Sequence, residues 1–339
     1  MLVNRIKSSL ESQQPREQAG FRRGFSTMDH LHTINQIIEK CNEYQKSVHF
    51  LMIDFSKAFD SLDHRYMLKA LSNQGVSPFY TNLIKKLYEK LQSRIITDIQ
   101  GKYFEIKKGV RQGDPMSSLI FNCAIEEIFR NLNWKAKGLK IEGEFLNNLR
   151  FADDVILMLE NLNELNEMIG ELIEKGREAG LSININKTKL LTKVPPEKPL
   201  QINNLKIETV SECVYLGQLI NLEGNIGNEI ERRLTLLWKK YWKLKSIFKG
   251  PHSVESKSEI FNACVVLVMS YGAETWALSK KDERKIATTQ NKMERSMLSI
   301  KLKDKISISK IKKKMNSNLD VVKIIKQKKN GIGRDTFHD

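Results

Sequence analysis

Cysteine is scarce and scattered in this sequence. The four, Cys41, Cys123, Cys213 and Cys264, lie far apart, so the chain offers neither a disulfide framework nor a Cys-x-x-Cys zinc site. Long apolar runs are missing too. ACVVLVM (263–269) is far too short to cross a bilayer, and the opening MLVNRIKSSLESQQ lacks the apolar region of a signal peptide. These absences lead us to expect an intracellular chain, nuclear or cytoplasmic, neither secreted nor attached to a membrane. No internal repeat is present. Acidic residues are the last shortage: 40 Asp and Glu face 56 Lys and Arg, a formal net charge of +16. Such an excess suits a polyanionic partner, nucleic acid before an acidic membrane; the plainer reading is a solvated basic surface.

What remains is ordinary globular composition, 40% hydrophobic and 28% charged, in a 339-residue chain long enough for two or more domains. VHFLMIDFSKAFDSLDH (48–64) opens as an unbroken apolar run, the pattern of a central strand covered on both faces, and ends at Asp54. In SPFYTNLIKKLYEKL (77–91), a Ser77 cap and Pro78 open a helix with Ile84, Leu87 and Leu91 on its apolar face. SRIITDIQGKYFEIKKGV (93–110) reads as a hairpin turning near Gly101. RQGDPMSSLIFNCAIEEIF (111–129) places Asp114 as N-cap and Pro115 at the first position of another helix. NELNEMIGELIEKGREAG (163–180) is helical, LSININKTKLL (181–191) alternates like a strand, TKVPPEKP (192–199) is a loop, and ECVYLGQLI (212–220) is one short strand. Residues 228–249 form a helix with Ile230, Leu237, Tyr241 and Phe248 on one side, and with Arg232, Arg233 and Lys239 largely elsewhere. A further helical stretch covers roughly 254–302. The last 39 residues hold 12 Lys and Arg against 4 Asp, and look like a basic arm or a marginal helix.

FADDVILM (151–158) sets two adjacent carboxylates, Asp153 and Asp154, in an apolar run. Burying one there is costly, and burying two costs more. Two arrangements relieve the cost. One is the solvent-exposed tip of a hairpin. The other is a metal site at that tip, where a hard divalent cation offsets the repulsion. The octapeptide by itself favours the turn. Asp54, 99 residues before Asp153, adds a third acid at a strand end. Only folding can gather the three. Two-metal phosphoryl transfer needs such equipment, with ions about 3.5–4 Å apart between carboxylates on rigid strands.

FLMIDFSKAFDSLDH, GVRQGDPMSSLIFN, LRFADDVIL, AGLSININKTKLL and YLG follow one another in the order of reverse-transcriptase palm motifs. With EQAGFRRGFSTMDHL (17–31), they make the chain resemble the reverse transcriptases of non-long-terminal-repeat (LINE-type) retrotransposons. The later YGAETWALSKKDERKI and MERSMLSI are similar to the tail of the RTE-like branch. The likeness runs from about residue 4 to 310, and the ordered set carries it rather than any single motif.

The resemblance implies an α+β fold: a right-hand polymerase palm, an antiparallel sheet with helices, joined to partial fingers and a helical thumb. Its divisions would be partial fingers over 1–47, palm over 48–197, primer-grip region and helical thumb over 198–303, and a basic tail over 304–339. It implies an RNA-directed DNA polymerase that extends a DNA primer on an RNA template with dNTPs, using two Mg²⁺ ions or Mn²⁺ in their place. Asp54 and Asp153 would be the principal metal ligands, with Asp154 completing the cluster and the Phe55 carbonyl touching metal. Phe59 would exclude a ribose 2′-OH. Gln112, Gly113 and Lys187 would meet the nucleotide. Arg22 and Arg23 would contact template phosphates, and Tyr215, Leu216 and Gly217 the primer end. The same resemblance implies a chain truncated at both ends, without the first fingers segment and the upstream endonuclease. That favours a second reading, a catalytically inactive remnant that only binds nucleic acid. An RNA-directed RNA polymerase is disfavoured by Phe59 and the motif set.

Overall fold

A computed structural model describes residues 2–98, 100–194, 199–202, 205–315 and 320–335. The chain divides into two compact units, Met1–Leu216 and Gly217–Asp339. Among the described residues no helix is long and apolar enough to cross a membrane.

The first unit is built on a five-stranded sheet. Its strands lie in the order Glu208–Val210, Lys189–Leu191, His49–Ile53, Asp154–Leu159 and Asn148–Phe151. His49–Ile53 is the central strand, and all five of its residues are buried, as its unbroken apolar run requires. Alternate residues serve opposite faces. Leu51, Ile53, Val155 and Leu157 share a core with Leu165, Met168 and Leu172 of the Leu162–Glu178 helix, while Phe50, Met52, Ile156 and Met158 are buried in turn. Each such side chain contributes about 1.5–3 kcal/mol by leaving water. The Pro115–Arg130 helix starts as its sequence indicates: the Asp114 carboxylate accepts from the Met116 N–H at 2.9 Å, and Pro115 occupies the first turn.

Several local expectations are corrected. The sheet is antiparallel except for one pair, since Glu208–Val210 runs parallel to Lys189–Leu191. The strand expected over 181–191 shrinks to Lys189–Leu191. Asn184 makes a turn instead: its carbonyl accepts from the Lys187 and Thr188 N–H groups, and its own N–H donates to the Asp54 carbonyl at 2.7 Å. Pro78–Glu89 is helical, but Ser77 makes no side-chain cap, and the buried face is Thr81, Ile84 and Tyr88. Leu87, one residue out of that phase, faces solvent. The hairpin pairs Gln92–Ser93 with Phe104–Glu105 and folds back between Ile96 and Gln100, before Gly101. ECVYLGQLI contains two strands, Glu212–Tyr215 and Gln218–Asn221, because Leu216 between them is left-handed at φ 43°. Residues 195–198 of the expected loop lie outside the described residues.

The second unit is helical beyond the Gln218–Asn221 strand. Gly227–Lys243 buries Ile230, Leu237 and Tyr241, pauses at Leu244, and is followed by Lys245–Lys249 with Phe248 buried. The helical stretch expected over roughly 254–302 is interrupted over 271–279, between Leu267–Ser270 and Lys280–Met297, where Trp276 fills the core. The basic tail is no loose arm among its described residues. Ile308–Lys314 and Val321–Asp335 are helices, and Ile311, Met315, Val321 and Ile325 join the same core. Apolar residues four apart give each helix a seam, which the lysine-rich composition concealed.

Candidate active site

The antiparallel register brings the acids together. Ile53 pairs with Val155 at the end of the ladder, so Asp54 leaves its strand beside the start of the Asp154–Leu159 strand, and its charge acts on both Asp153 and Asp154. Phe151 pairs with Asp154, leaving Ala152 and Asp153 as a two-residue turn with Ala152 at φ 58°. The tip is therefore Ala152–Asp153, and Asp154 is the first residue of the returning strand, where its surface still reaches solvent. The Asp154 carboxyl is pushed up to about 6, first by the protein packed around it and then by the charges of Asp153 and Asp54. Asp153 is raised by burial as well. Asp54 adds to its rise, while its own backbone N–H and Lys187 oppose it. The Lys187 ammonium stands 3.4 Å from the Asp54 carboxylate.

Among the described residues no three His, Cys, Asp or Glu side chains are gathered tightly enough to form a metal site by themselves. The acids sense each other's charge without closing a cage. The donor set nonetheless fits hard divalent cations: carboxylate oxygens only, two of them held toward protonation first by burial and further by neighbouring negative charge, which a cation would relieve.

The other expected residues are placed as follows. Phe55 is buried and bridges to Ile183. The Phe59 ring stacks on Phe121 at 4.2 Å and meets Phe21 edge-on at 6.2 Å, so it is held on both sides. Gln112 is exposed and its amide donates to Asp60 at 3.2 Å. Gly113 has φ 84° with nothing within 4 Å of where a Cβ would stand, so the turn needs glycine for its backbone and leaves open space above it. Arg22 is tied to its own loop: it donates to the carbonyls of Pro15 and Gln18 and lies over the Phe25 ring at 4.3 Å. Arg23 is exposed. Tyr215 is buried, and its hydroxyl meets His30 Nδ1 at 3.4 Å. Gly217 carries φ 78° in the second unit, and its carbonyl accepts from Arg232 and Arg233, each at 2.6 Å.

The supports behind the turn escaped the sequence reading. Arg150, one residue before Phe151, is buried at 2.9 Å from Glu126 and lies over the Phe129 ring. Glu126 also pairs with Arg130. The residues of EQAG run along the sheet edge at Arg150 as an isolated parallel bridge. An arginine inside an apolar strand was the available signal, because such a charge requires a buried partner. His30, in the Thr27–Glu43 helix, is buried, and burial lowers it to about 4.

Residues 1–220 match the family described as Reverse transcriptase (RNA-dependent DNA polymerase). The chain belongs to the reverse transcriptase family. A transposon-derived protein of Caenorhabditis elegans is 31% identical over 169 residues, 48% of this chain and 61% of that protein. The Retrovirus-related Pol polyprotein from the type-1 retrotransposable element R2 of Nasonia vitripennis is 28% identical over 219 residues, 59% of this chain and 21% of that one. This reverse transcriptase chain thus spans less than two thirds of either relative. A structure of telomerase from Candida albicans, in complex with a TWJ fragment of telomeric RNA, matches with a TM-score of 0.55 at 12% identity, over 94% of this chain and 58% of that one. The α+β architecture is that of the right-hand polymerases.

Proposed function

We propose that this reverse transcriptase chain is an RNA-directed DNA polymerase, extending a primer 3′-OH on an RNA template with dNTPs and releasing pyrophosphate. The observation that carries the reading is Asp54 at the end of its strand beside Asp154 and the Ala152–Asp153 turn, with both turn-side carboxyls raised first by burial and further by the charge of Asp54. Divalent cations, Mg²⁺ or Mn²⁺, would activate the hydroxyl and neutralise the leaving pyrophosphate. Asp54 and Asp153 would hold them, and Asp154 would complete the charge. Lys187, which pairs with Asp54, would serve the phosphates. The clamped ring of Phe59 blocks a ribose 2′-OH. Gln112 and Gly113 edge the open space where a nucleotide fits, Arg23 meets template phosphate, and Arg22 shapes the loop that presents it. Tyr215, Leu216 and Gly217 locate the primer end. In this reading residues 1–47 are partial fingers, 48–197 palm, 198–303 primer grip and thumb, and 304–339 a basic tail, of which Ile311, Met315, Val321 and Ile325 join the core of the second unit. With such partners it would act in the nucleus or cytoplasm.

Primer extension on an RNA template with Mg²⁺ and dNTPs tests the proposal. Wild-type chain should extend the primer, and Asp153→Asn should not, because the amide keeps the shape and loses the charge. Duplex binding should change little. Equal extension by both chains, or binding without extension by wild type, overturns the reading.

A further inference from the structure

The Ala152–Asp153 turn does not hold its shape alone. Ala152 sits at φ 58°, a region that glycine enters freely and alanine only at a cost. Gln18 is fully buried behind it. The Gln18 side-chain carbonyl accepts from the Ala152 N–H at 3.1 Å and from the Gly20 N–H at 2.9 Å. Two facing N–H donors fix which end of the amide is oxygen.

The Gln18 backbone is held in turn. Arg150 N–H donates to the Glu17 carbonyl at 2.7 Å, and Ala19 N–H to the Arg150 carbonyl at 2.9 Å. Gly20 approaches so closely that a Cβ there would stand 2.3 Å from the Ala152 nitrogen. The Asn122 amide, from the Pro115–Arg130 helix, donates to the Gly20 carbonyl at 2.6 Å.

We propose that Gln18 is a positioning residue: its side-chain carbonyl holds the Ala152 amide in the left-handed turn and so sets where the Asp153 and Asp154 carboxylates point. The consequence for catalysis rests on the polymerase reading; the positioning itself does not. An amide suits the place better than a carboxylate, which would bury one more negative charge beside two that are already crowded.

Gln18→Met in the full chain keeps the volume and removes the acceptor. The Ala152 amide should then exchange with deuterium up to about tenfold faster, the scale of one hydrogen bond removed. Mn²⁺ binding, followed by electron paramagnetic resonance, should weaken about 10- to 100-fold, as when a residue that orients metal ligands is removed. KM for template–primer should stay and kcat should fall. Adding Ala152→Gly should recover most of the Mn²⁺ affinity, since glycine keeps the left-handed turn unaided; damage to core packing would show no such rescue. If Gln18→Met does not fold, Gln18→Asn, one methylene too short to reach Ala152, must show the same changes. Unchanged exchange and Mn²⁺ affinity overturn the proposal, and so does a loss that Ala152→Gly fails to rescue. A wild-type chain that extends no primer refutes the polymerase reading alone, because amide exchange and Mn²⁺ affinity still decide about Gln18.

Discussion

Lys187 places its ammonium 3.4 Å from the carboxylate of Asp54, 133 residues earlier in the chain. The turn begun at Asn184 makes the meeting, because it ties Asn184 N–H to the Asp54 carbonyl and leaves Lys187 on the same rim. In the proposed reading this ammonium stands where a metal's charge would be needed. Lys187→Ala should therefore tighten Mn²⁺ binding by roughly two- to fivefold, the scale of an exposed ion pair, while slowing extension. Calorimetric titration with Mn²⁺ measures the first effect. Weaker binding in the variant would show that Lys187 assists the cation instead of substituting for it.

The raised Asp154 carboxyl makes stability depend on pH with a definite sign. The folded state keeps its proton up to about 6, whereas the unfolded chain loses it near the ordinary value of 3.8. The stabilising effect is thus whole below the unfolded value and is lost as pH rises through the folded one. The metal-free wild type should lose melting temperature relative to Asp154→Asn between about pH 4 and pH 7. Mg²⁺ should reverse the loss at pH 7 and do little at pH 4. Parallel melting curves across this range would remove the crowding argument.

Phe59 is both gate and packing element in our reading. Phe59→Ala should admit ribonucleotides and, by ending the 4.2 Å stack on Phe121, should destabilise the first unit by on the order of 2 kcal/mol. Single-nucleotide insertion with dNTP against rNTP reads the first effect, and urea denaturation the second. Reduced stability with unchanged sugar choice would leave Phe59 a core residue.

In the second unit, Glu229 is buried between Arg232 and Arg233, at 2.6 Å from each, and also accepts from the Leu219 N–H at 3.0 Å. Glu229→Gln leaves two guanidinium groups without their counter-charge and should cost about 3–5 kcal/mol. The urea midpoint, followed by tryptophan fluorescence, checks it. A loss below about 1 kcal/mol would mean that Arg232 and Arg233 find water.

The tail contributes charge and packing through different residues, so deletion cannot test either. Replacing the exposed Lys303, Lys305, Lys310, Lys313 and Lys314 with glutamine spares Ile311 and Met315 in the core. Fluorescence anisotropy with a template–primer duplex should show a salt slope smaller by roughly 0.9 for each phosphate that is no longer neutralised. An unchanged slope would assign the binding charge elsewhere on this +16 chain.

The central strand, the Asp114–Pro115 helix start and the three acids could be read directly from the residues. Each depends on neighbours in sequence: an unbroken apolar run, a capping side chain followed by proline, carboxylates where apolar residues should be. The ordered motifs supplied the family by resemblance, and the family match agrees. What could not be read depends on partners distant in the chain. LSININKTKLL alternates like a strand, yet the hydrogen bond from Asn184 to Asp54 turns it and delivers Lys187 to the acid. The sequence alone could not show that one guanidinium nitrogen of Arg22 donates to the carbonyls of Pro15 and Gln18. The lysine-rich tail looked unpacked because Ile311, Met315, Val321 and Ile325 find their core only against the other helices of their unit. The hold of Gln18 on Ala152 spans 134 residues. Local patterning specifies which segments become strands and helices, but which polar atoms meet across them follows from sheet register and chain path, and these exist only once the chain has folded.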